Sequence, residues 1–487
     1  MPANSDEILQ QVRSEFEAVL TFVLEASPQT VPDADTMERG LFRKLFALGC
    51  MLLRLYFKQQ DRLIAPTTVP GKEGSELPWH SQKMRTYLSV FGEVRFARRY
   101  YYLPGEGRSP LDATLNLPEE AASDLLREWR ERLSVYGSYH KASDDLDELL
   151  GHHASTRQIK QEIGADAGSV AAYYEQADKP PPDPEASILV VQADGKGVPM
   201  RQTTQAAEKV RKSKGEKTSR KKEAIATSVY TIAPAPRTPE EVIASLLGSD
   251  KSKMESAARS GPTNKRLFAT LEGKDAALSW TAQHAWQHQG PHIKHRVALT
   301  DGAEALQTRV LALFAGFVLV LDCIHALEYL WKAANALLGE TSAQRNDWVK
   351  ARALKMLSGQ TQSVIDDLRE IASRRCGSAG MKQILRSVAA YYERNLPYMR
   401  YDEYLAAGWP IGTGVIEGAC RHLIKDRCEL SGMRWSKNGA EALLQLRCVA
   451  VNGDWHQFHA YRRAQRRITL YGKTTPSERP IELQLAA

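Results

Sequence analysis

The chain lacks any apolar run long enough to cross a membrane. Its longest uncharged apolar stretch, Val310 to Leu321, is closed by Arg309 and Asp322, whereas a span needs about 20 such residues. That stretch reads as a buried strand or helix. Cysteine is sparse and unpaired in pattern: Cys50, Cys323, Cys376, Cys420, Cys428 and Cys448 contain no CxxC. This excludes a disulfide scaffold or a cysteine zinc site and points to a reducing compartment. A basic-then-apolar start is also missing, because Asp6, Glu7, Glu15 and Glu17 crowd the N-terminus, so no signal peptide is expected. Nor is the composition extreme. With 43% hydrophobic and 25% charged residues, the chain is neither wholly disordered nor collagen-like. Its 487 residues, at roughly 150 per domain, predict about three domains.

Charge is nearly balanced, with 65 Lys and Arg against 58 Asp and Glu, net +7. The excess is local. Residues 209–222, KVRKSKGEKTSRKK, carry eight basic side chains and one acidic, and the rest of the chain is neutral. The basic residues are Lys209, Arg211, Lys212, Lys214, Lys217, Arg220, Lys221 and Lys222. A block of this kind implies a polyanionic partner far better than a diffuse excess does. The competing reading is a solvated loop.

Apolar residues at helical spacing (Ile8, Val12, Phe16, Val19, Val23, then Leu41, Leu45, Leu48, Leu52, Leu55) predict a helical hairpin at the start. Thr86 to Leu103 is β-branched and aromatic with a Gly-Glu turn and reads as a β-hairpin. Its Arg95, Arg98, Arg99, Tyr100 and Tyr101 suit a phosphate backbone and stacked bases, or a solvated edge strand. Residues 119–176 read as helical. Gly151 breaks them, and Ser155-Thr-Arg-Gln158 caps a second segment, a pattern compatible with helix-turn-helix DNA reading or with plain helix packing. The prolines of 179–184 mark a boundary. A β pattern follows. Ile188 to Gln192 runs into Asp194, Val297 to Leu299 into Asp301, and Phe317 to Leu321 into Asp322. Residues 326–404 are helical almost throughout. Gly408 to Gly414 is a turn, and Val415 opens a helix containing Glu417.

Aspartates at the carboxyl ends of buried strands emerge where open α/β sheets place their sites. Asp194 and Asp301 have that setting, each followed by glycine, and Glu417 stands near the start of a helix after a glycine-rich turn. Three carboxylates on rigid elements suit hard divalent cations, which take oxygen ligands and clamp an in-line phosphoryl transfer.

The segments Leu189-Val-Val-Gln-Ala-Asp-Gly-Lys-Gly-Val-Pro-Met200, Leu299-Thr-Asp-Gly302, Val320-Leu-Asp-Cys-Ile-His-Ala-Leu-Glu-Tyr-Leu-Trp331 and Trp409-Pro-Ile-Gly-Thr-Gly-Val-Ile-Glu-Gly-Ala-Cys-Arg421 carry a resemblance. Met433-Arg-Trp435 and Gly439-Ala-Glu-Ala442 add to it. The chain resembles bacterial insertion-sequence transposases of the ISKra family, in the Mutator-like group of Asp-Asp-Glu transposases. The resemblance spans about residues 86–460. It implies an α/β RNase H-like catalytic core interrupted by an all-helical insertion, preceded by helical and β-hairpin DNA-binding modules. Asp194, Asp301 and Glu417 take the catalytic positions, with two Mg²⁺ or Mn²⁺ ions, and Asp322-x-x-His325 takes the place of the group's Cys/Asp-x-x-His signature. The implied activity is binding, cleavage and strand transfer of terminal inverted repeats and target DNA. It is that of a bacterial, cytoplasmic, nucleoid-associated homo-oligomer that is at least a dimer on DNA. The alternatives are a DNA-binding derivative that no longer cuts, or an RNase H-fold nuclease such as a resolvase.

The chain then divides into an N-terminal helical segment (1–70), the β-hairpin (71–118) and a helical DNA-binding segment (119–178). The core follows in a first part (179–327), the insertion (328–405), a second part with the catalytic Glu (406–470) and a tail (471–487). His325, one turn after Asp322, is placed to contact the scissile phosphate or to orient a carboxylate, with Asp322 a fourth acidic ligand or that histidine's partner. Arg421, four residues past Glu417, is placed to pair with it or to reach phosphate. Ten Lys and Arg against four acids over 418–470 form a second basic zone. Arg434 and Trp435 in that zone are further nucleic-acid candidates, with Trp435 and Trp455 stacking on bases or packing in the core. His284, His288, His292 and His295 are spaced for a metal, but Gly290-Pro291 keeps all four off one face.

Overall fold

The computed structural model describes residues 5–24, 32–71, 74–177, 185–201, 221–248, 260–288, 290–374, 377–430 and 432–472. The chain forms two compact units, Met1–Ser169 with Asp454–Ala487, and Val170–Gly453. Among the described residues no helix is long and apolar enough to cross a membrane.

The first unit opens with α1 (Ser5–Leu24) and α2 (Ala34–Leu63). Asp33 caps α2, accepting from Thr36 N at 2.7 Å, which satisfies one amide the helix itself leaves open. Ile8 and Val12 pack with Leu48, Met51 and Leu55. An antiparallel sheet follows, ordered β1 (Thr68–Pro70), β2 (Glu76–Ser89), β3 (Gly92–Leu103) and β4 (Glu106–Arg108). The hairpin expected over 86–103 is the distal part of a longer one. β2 starts at Glu76, and Val90 and Phe91 make the turn where Ser89 pairs with Gly92. Most of β2 is exposed, so no apolar alternation announces its first half.

The ring of Phe57 on α2 stacks on Phe96 at 4.4 Å. The hairpin arginines are largely held inside the protein rather than aimed at phosphate. Arg98 and Arg85 share Asp112 at 2.8 and 3.2 Å, Arg99 donates to the Asp61 carbonyl, and Arg95 pairs with Glu93. Tyr101 is buried and donates to Pro66 O at 2.6 Å. The unit continues with α3 (Pro110–Thr114), α4 (Asp124–Tyr136), α5 (Tyr139–Leu150) and α6 (Thr156–Ala167). Gly151, at φ 66°, ends α5 in the left-handed region that glycine tolerates. Ser155 caps α6 through Gln158 N at 3.1 Å.

The second unit contains α7 (Val170–Gln176), β5 (Ile188–Pro199), β6 (Lys221–Ile232), α8 (Pro239–Leu247), β7 (Thr263–Thr270), α9 (Lys274–Ala285), β8 (His295–Thr300), α10 (Glu304–Leu313) and β9 (Val318–Leu321). The strands form one sheet in the order β7-β6-β5-β8-β9. β5, β6 and β7 are antiparallel neighbours, while β8 pairs parallel with β5 and β9 parallel with β8.

Alternation along the strands separates two cores. Leu189, Val191, Ala298 and Leu319 pack with residues of α9 and α10. Ile188, Val190, Val297, Leu299 and Val320 face the other way, into a core shared with the following helices. These are α11 (Cys323–Leu338), α12 (Gln344–Leu357), α13 (Thr361–Ser373), α14 (Ala379–Asn395) and α15 (Tyr401–Ala406). Each fully buried Val, Leu or Ile here contributes about 1.5–3 kcal/mol, so the helical segment is one core with the sheet rather than an appendage.

After α16 (Gly414–Ala419) come a π-helical stretch, Cys420–Lys425, then α17 (Asp426–Cys428) and α18 (Lys437–Val451). Asn452, just past α18, bonds both Leu267 N and Leu267 O on edge strand β7.

The last helix, α19 (Trp455–Tyr471), belongs to the first unit. Residues 406–470, expected as one part of the core, are therefore divided between the units. The chain passes to its second unit at Val170, ahead of the expected proline boundary, which lies outside the described residues. Arg462 and Arg466 of α19 bond Asp124 and Asp166. Arg127 pairs with Asp166 and Glu131, and Arg130 with Glu162.

Candidate active site

Strand register sets two of the carboxylates side by side. The parallel β5–β8 ladder ends at Gln192↔Leu299. Two residues further on each chain stand Asp194 and Asp301. Neighbouring strands lie about 4.8 Å apart, and paired residues of a parallel ladder share a face. That face is the one carrying Ile188, Val190 and Leu299, toward the helical segment. Asp194 is not the end of its strand, as expected from the sequence. β5 runs on to Pro199, paired only with β6 there. Asp194 stands where β8 leaves the sheet, which opens one side of the strand.

Asp194 Oδ1 accepts from Gly195 N at 2.6 Å. Burial pushes the Asp194 carboxyl above the usual aspartate range. The Asp301 charge adds to that push, while the Gly195 amide, the Cys420 thiol and the His325 charge oppose it. Asp301 Oδ1 accepts from Ala303 N at 2.9 Å. Its turn is braced by α14: Tyr391 Oη donates to Asp301 O at 3.0 Å and Arg394 to Gly302 O at 2.8 Å.

Glu417 comes to the same face through Gln192. The buried Gln192 side chain donates to Gly412 O at 3.4 Å and accepts from Ile416 N at 3.0 Å. It thereby holds both sides of the turn that starts α16. Gln192 and Asp194 are two apart on one strand, so they point the same way. Glu417 itself is exposed.

Asp322 is the partner of His325 and braces the turn before Glu417. It is fully buried. Oδ1 accepts from Ile324 N at 3.1 Å and Thr413 N at 3.3 Å, and Oδ2 from Thr413 Oγ1 at 2.8 Å and His325 Nδ1 at 2.9 Å. Donors from two separate elements thus converge on its two oxygens. Its bond to His325 raises the imidazole pKa to about 9, with the charges of Asp322, Glu328 and Asp301 adding and burial opposing. The contact with Asp322 thus favours the protonated ring.

Thr413 Oγ1 also lies 3.1 Å from Glu417 Oε1. Its one proton can go to either carboxylate, and the ligand atoms of Asp322, His325 and Glu417 lie within 4.8 Å of one another. Asp194, Asp301 and Glu417 do not form so tight a group.

Several expected contacts are displaced. Arg421 is 3.7 Å from Asp426 and turned outward. The helix becomes π-helical at Cys420, so the i,i+4 relation with Glu417 is lost. Trp435 is buried, donates to Cys428 O at 3.0 Å, and exchanges backbone bonds with Pro199 and Arg201. It pins the end of β5 and is not available to a base. Trp455 is buried as well.

Arg434 is exposed, with Arg201 bonded to its carbonyl. The second basic zone dissolves. Arg427 and Arg447 are buried, and Arg447 donates to the Leu423 and His422 carbonyls. Arg462, Arg463 and Arg466 are paired in the first unit.

Lys209, Arg211, Lys212, Lys214, Lys217 and Arg220 lie outside the described residues. Lys221 pairs with Glu429 at 2.5 Å, and Lys222 is half-buried on β6. The histidines face different partners. His284 bonds Trp280 O at 2.8 Å, His288 and His292 both bond Glu185 at 2.5 and 2.6 Å, and His295 lies against Trp409. None belongs to a ligand-spaced group among the described residues.

Gln192, Thr413 and Tyr391 were missed by sequence reasoning. Gln192 had a signal: a lone amide inside the apolar run Ile188–Val191, which must find partners once buried. Thr413 and Tyr391 had none. A family model described as an uncharacterised protein family, UPF0236, matches residues 35–224. No curated protein matches the chain.

Proposed function

We propose that the chain is an Asp-Asp-Glu transposase of the insertion-sequence type, built on an RNase H-like core and acting on double-stranded DNA. The observation that carries this reading is the register. Asp194 and Asp301 occupy matching positions two residues past the β5–β8 ladder, on the face where Gln192 holds the turn leading to Glu417. The sheet supports it: three antiparallel strands followed by two parallel ones, with β5 at the centre.

Asp194, Asp301 and Glu417 are hard oxygen donors of the kind that hold Mg²⁺ or Mn²⁺. Burial, with a smaller push from the Asp301 charge, raises the Asp194 pKa, and a bound divalent cation would offset both effects. When bound, such ions supply Lewis-acid stabilisation of charge on the attacking and leaving oxygens of a phosphodiester. The protein's own groups do the positioning. Asp322 keeps His325 protonated, so its imidazolium offers a hydrogen bond and a positive charge to a phosphate oxygen. Tyr391 and Arg394 fix the Asp301 turn. The basic block at 209–222 attracts the phosphate backbone without reading sequence.

The test is cleavage of a duplex built from the sequences flanking the reading frame, where short inverted repeats are expected. Asp194→Ala, Asp301→Ala and Glu417→Ala should each lose at least about a thousandfold in cleavage rate, with DNA binding and melting temperature retained. An Asp194→Ala protein that still cut these ends would sink the assignment. Preference for branched DNA over the ends would favour a resolvase.

A further inference from the structure

We infer that the α1–α2 hairpin is a dimerisation element whose outer face packs on the same face of a second copy, each α1 lying on the partner's α2. The inference does not depend on the transposase reading.

Both helices carry more apolar surface than the hairpin itself covers. On α1, Ile8 and Val12 are buried against α2, and Val19 is buried on the same side of the helix. A second stripe, Leu9, Phe16, Leu20 and Val23, is 37–49% exposed. On α2, Leu48, Met51 and Leu55 meet α1, while Leu53 and Phe57 pack toward the sheet. Between these two packed stripes runs a third: Phe42, Leu45, Leu52, Tyr56 and Leu63, each at least 45% exposed. With Gly49, which lies against the Phe91 ring at the edge of the stripe, and Gln59, it follows a 3,4 spacing from 42 to 63, the a/d seam of a helix packed on another helix.

The two outer stripes face the same side. The Phe22 ring lies against Gly40, where a Cβ would come within 2.4 Å of it, so the helices run antiparallel. At about 100° per residue, each outer stripe is rotated in the same sense from its packed stripe, by roughly 70–95°. In an antiparallel pair that rotation puts both on one face. At about 200 Å² per large side chain, the nine residues expose roughly 900 Å², against about 800 Å² per partner in a standard stable interface. Typical monomers expose apolar patches of about 300–600 Å² at most.

Charge selects the partner and the pairing. α1 carries Asp6, Glu7, Glu15 and Glu17 against Arg13 alone, net −3. α2 carries six basic residues against Asp35, Glu38 and Asp61, net +3. A twofold axis parallel to the helices sets each acidic α1 on a basic α2 of the other copy. The alternative axis would set like charges together.

The full chain should sediment as a species of twice its 54.4 kDa mass without DNA at micromolar concentration. Leu45→Lys with Leu52→Lys, at positions half-exposed in the single chain, should convert it to monomer with unchanged helical circular dichroism and melting temperature. If that variant loses its helical signal, Asp6→Lys with Glu17→Lys, both exposed, reads the same contact and should weaken dimerisation at least tenfold. A monomeric wild-type chain, or a dimer that either folded variant leaves intact, overturns the inference.

Discussion

His459 of α19 is completely buried, and neither of its ring nitrogens has a hydrogen-bond partner. Burial, helped by the charges of Arg462, Arg463 and Arg127, lowers its pKa to about 3. In the unfolded chain the ring titrates near 6.5. Below that pH the unfolded state binds a proton that the folded state refuses, so stability falls as pH drops from 6.5 toward 3. Between pH 7 and pH 5 the loss amounts to about 2 kcal/mol. Thermal melts over that window should show a steeper fall for the wild type than for His459→Leu. Parallel curves would mean that the ring is not buried neutral. Glu131, Asp166 and His459 also lie within 4.8 Å of one another. Both Asp166 oxygens are bonded by guanidinium groups of Arg127 and Arg462, so Asp166 serves the ion network of this unit. None of its long-range pairs was visible in the sequence, because each joins residues some 30 to 340 positions apart.

At the scale of the element, the turn after β8 is the most constrained piece of the candidate site. Gly302 has φ 84°, and a Cβ there would stand 2.5 Å from Tyr391 Oη and 2.8 Å from Leu321 Cδ1. Gly302→Ala therefore strains the backbone and displaces the hydroxyl that holds Asp301 O. A melting loss equivalent to about 1–3 kcal/mol is expected, together with a fall in cleavage beyond that of Tyr391→Phe. An alanine variant with wild-type melting and cleavage would show that the turn has slack. The sequence shows a glycine after each aspartate. At Gly302 the space it leaves is taken by Tyr391. Strands β5, β8 and β9 were legible because their apolar runs are short, dense and closed by aspartates. The exposed half of β2 was not, because a strand without a buried face leaves no periodic signature.

At the scale of the whole molecule, charge is distributed less simply than a count indicates. Most of the apparent basic zone over 418–470 is consumed by internal pairs and buried guanidinium groups. The positive excess of the sequence then rests chiefly on the block 209–222, where Lys221 is already paired. Replacing Lys209, Lys212, Lys214 and Lys217 by Gln should reduce the slope of log binding constant against log salt by up to about 4. Filter-binding titrations from low to moderate salt measure it. An unchanged slope would remove the block from the DNA contact.

The sequence by itself determined the alternating strands, the helical stretch after Asp322, the local cap at Ser155, and the placement of Asp194, Asp301 and Glu417 as site candidates. These follow from periodicity and from residue types within a few positions of each other. Only the tertiary structure decided which charged side chains are free and which are held by internal partners. Arg98, Arg427 and Arg462 look alike in sequence to any solvent-facing arginine, and Asp322 looks like Asp194. Their partners come from other elements, and a buried polar group takes its role from whatever packing puts within hydrogen-bond reach.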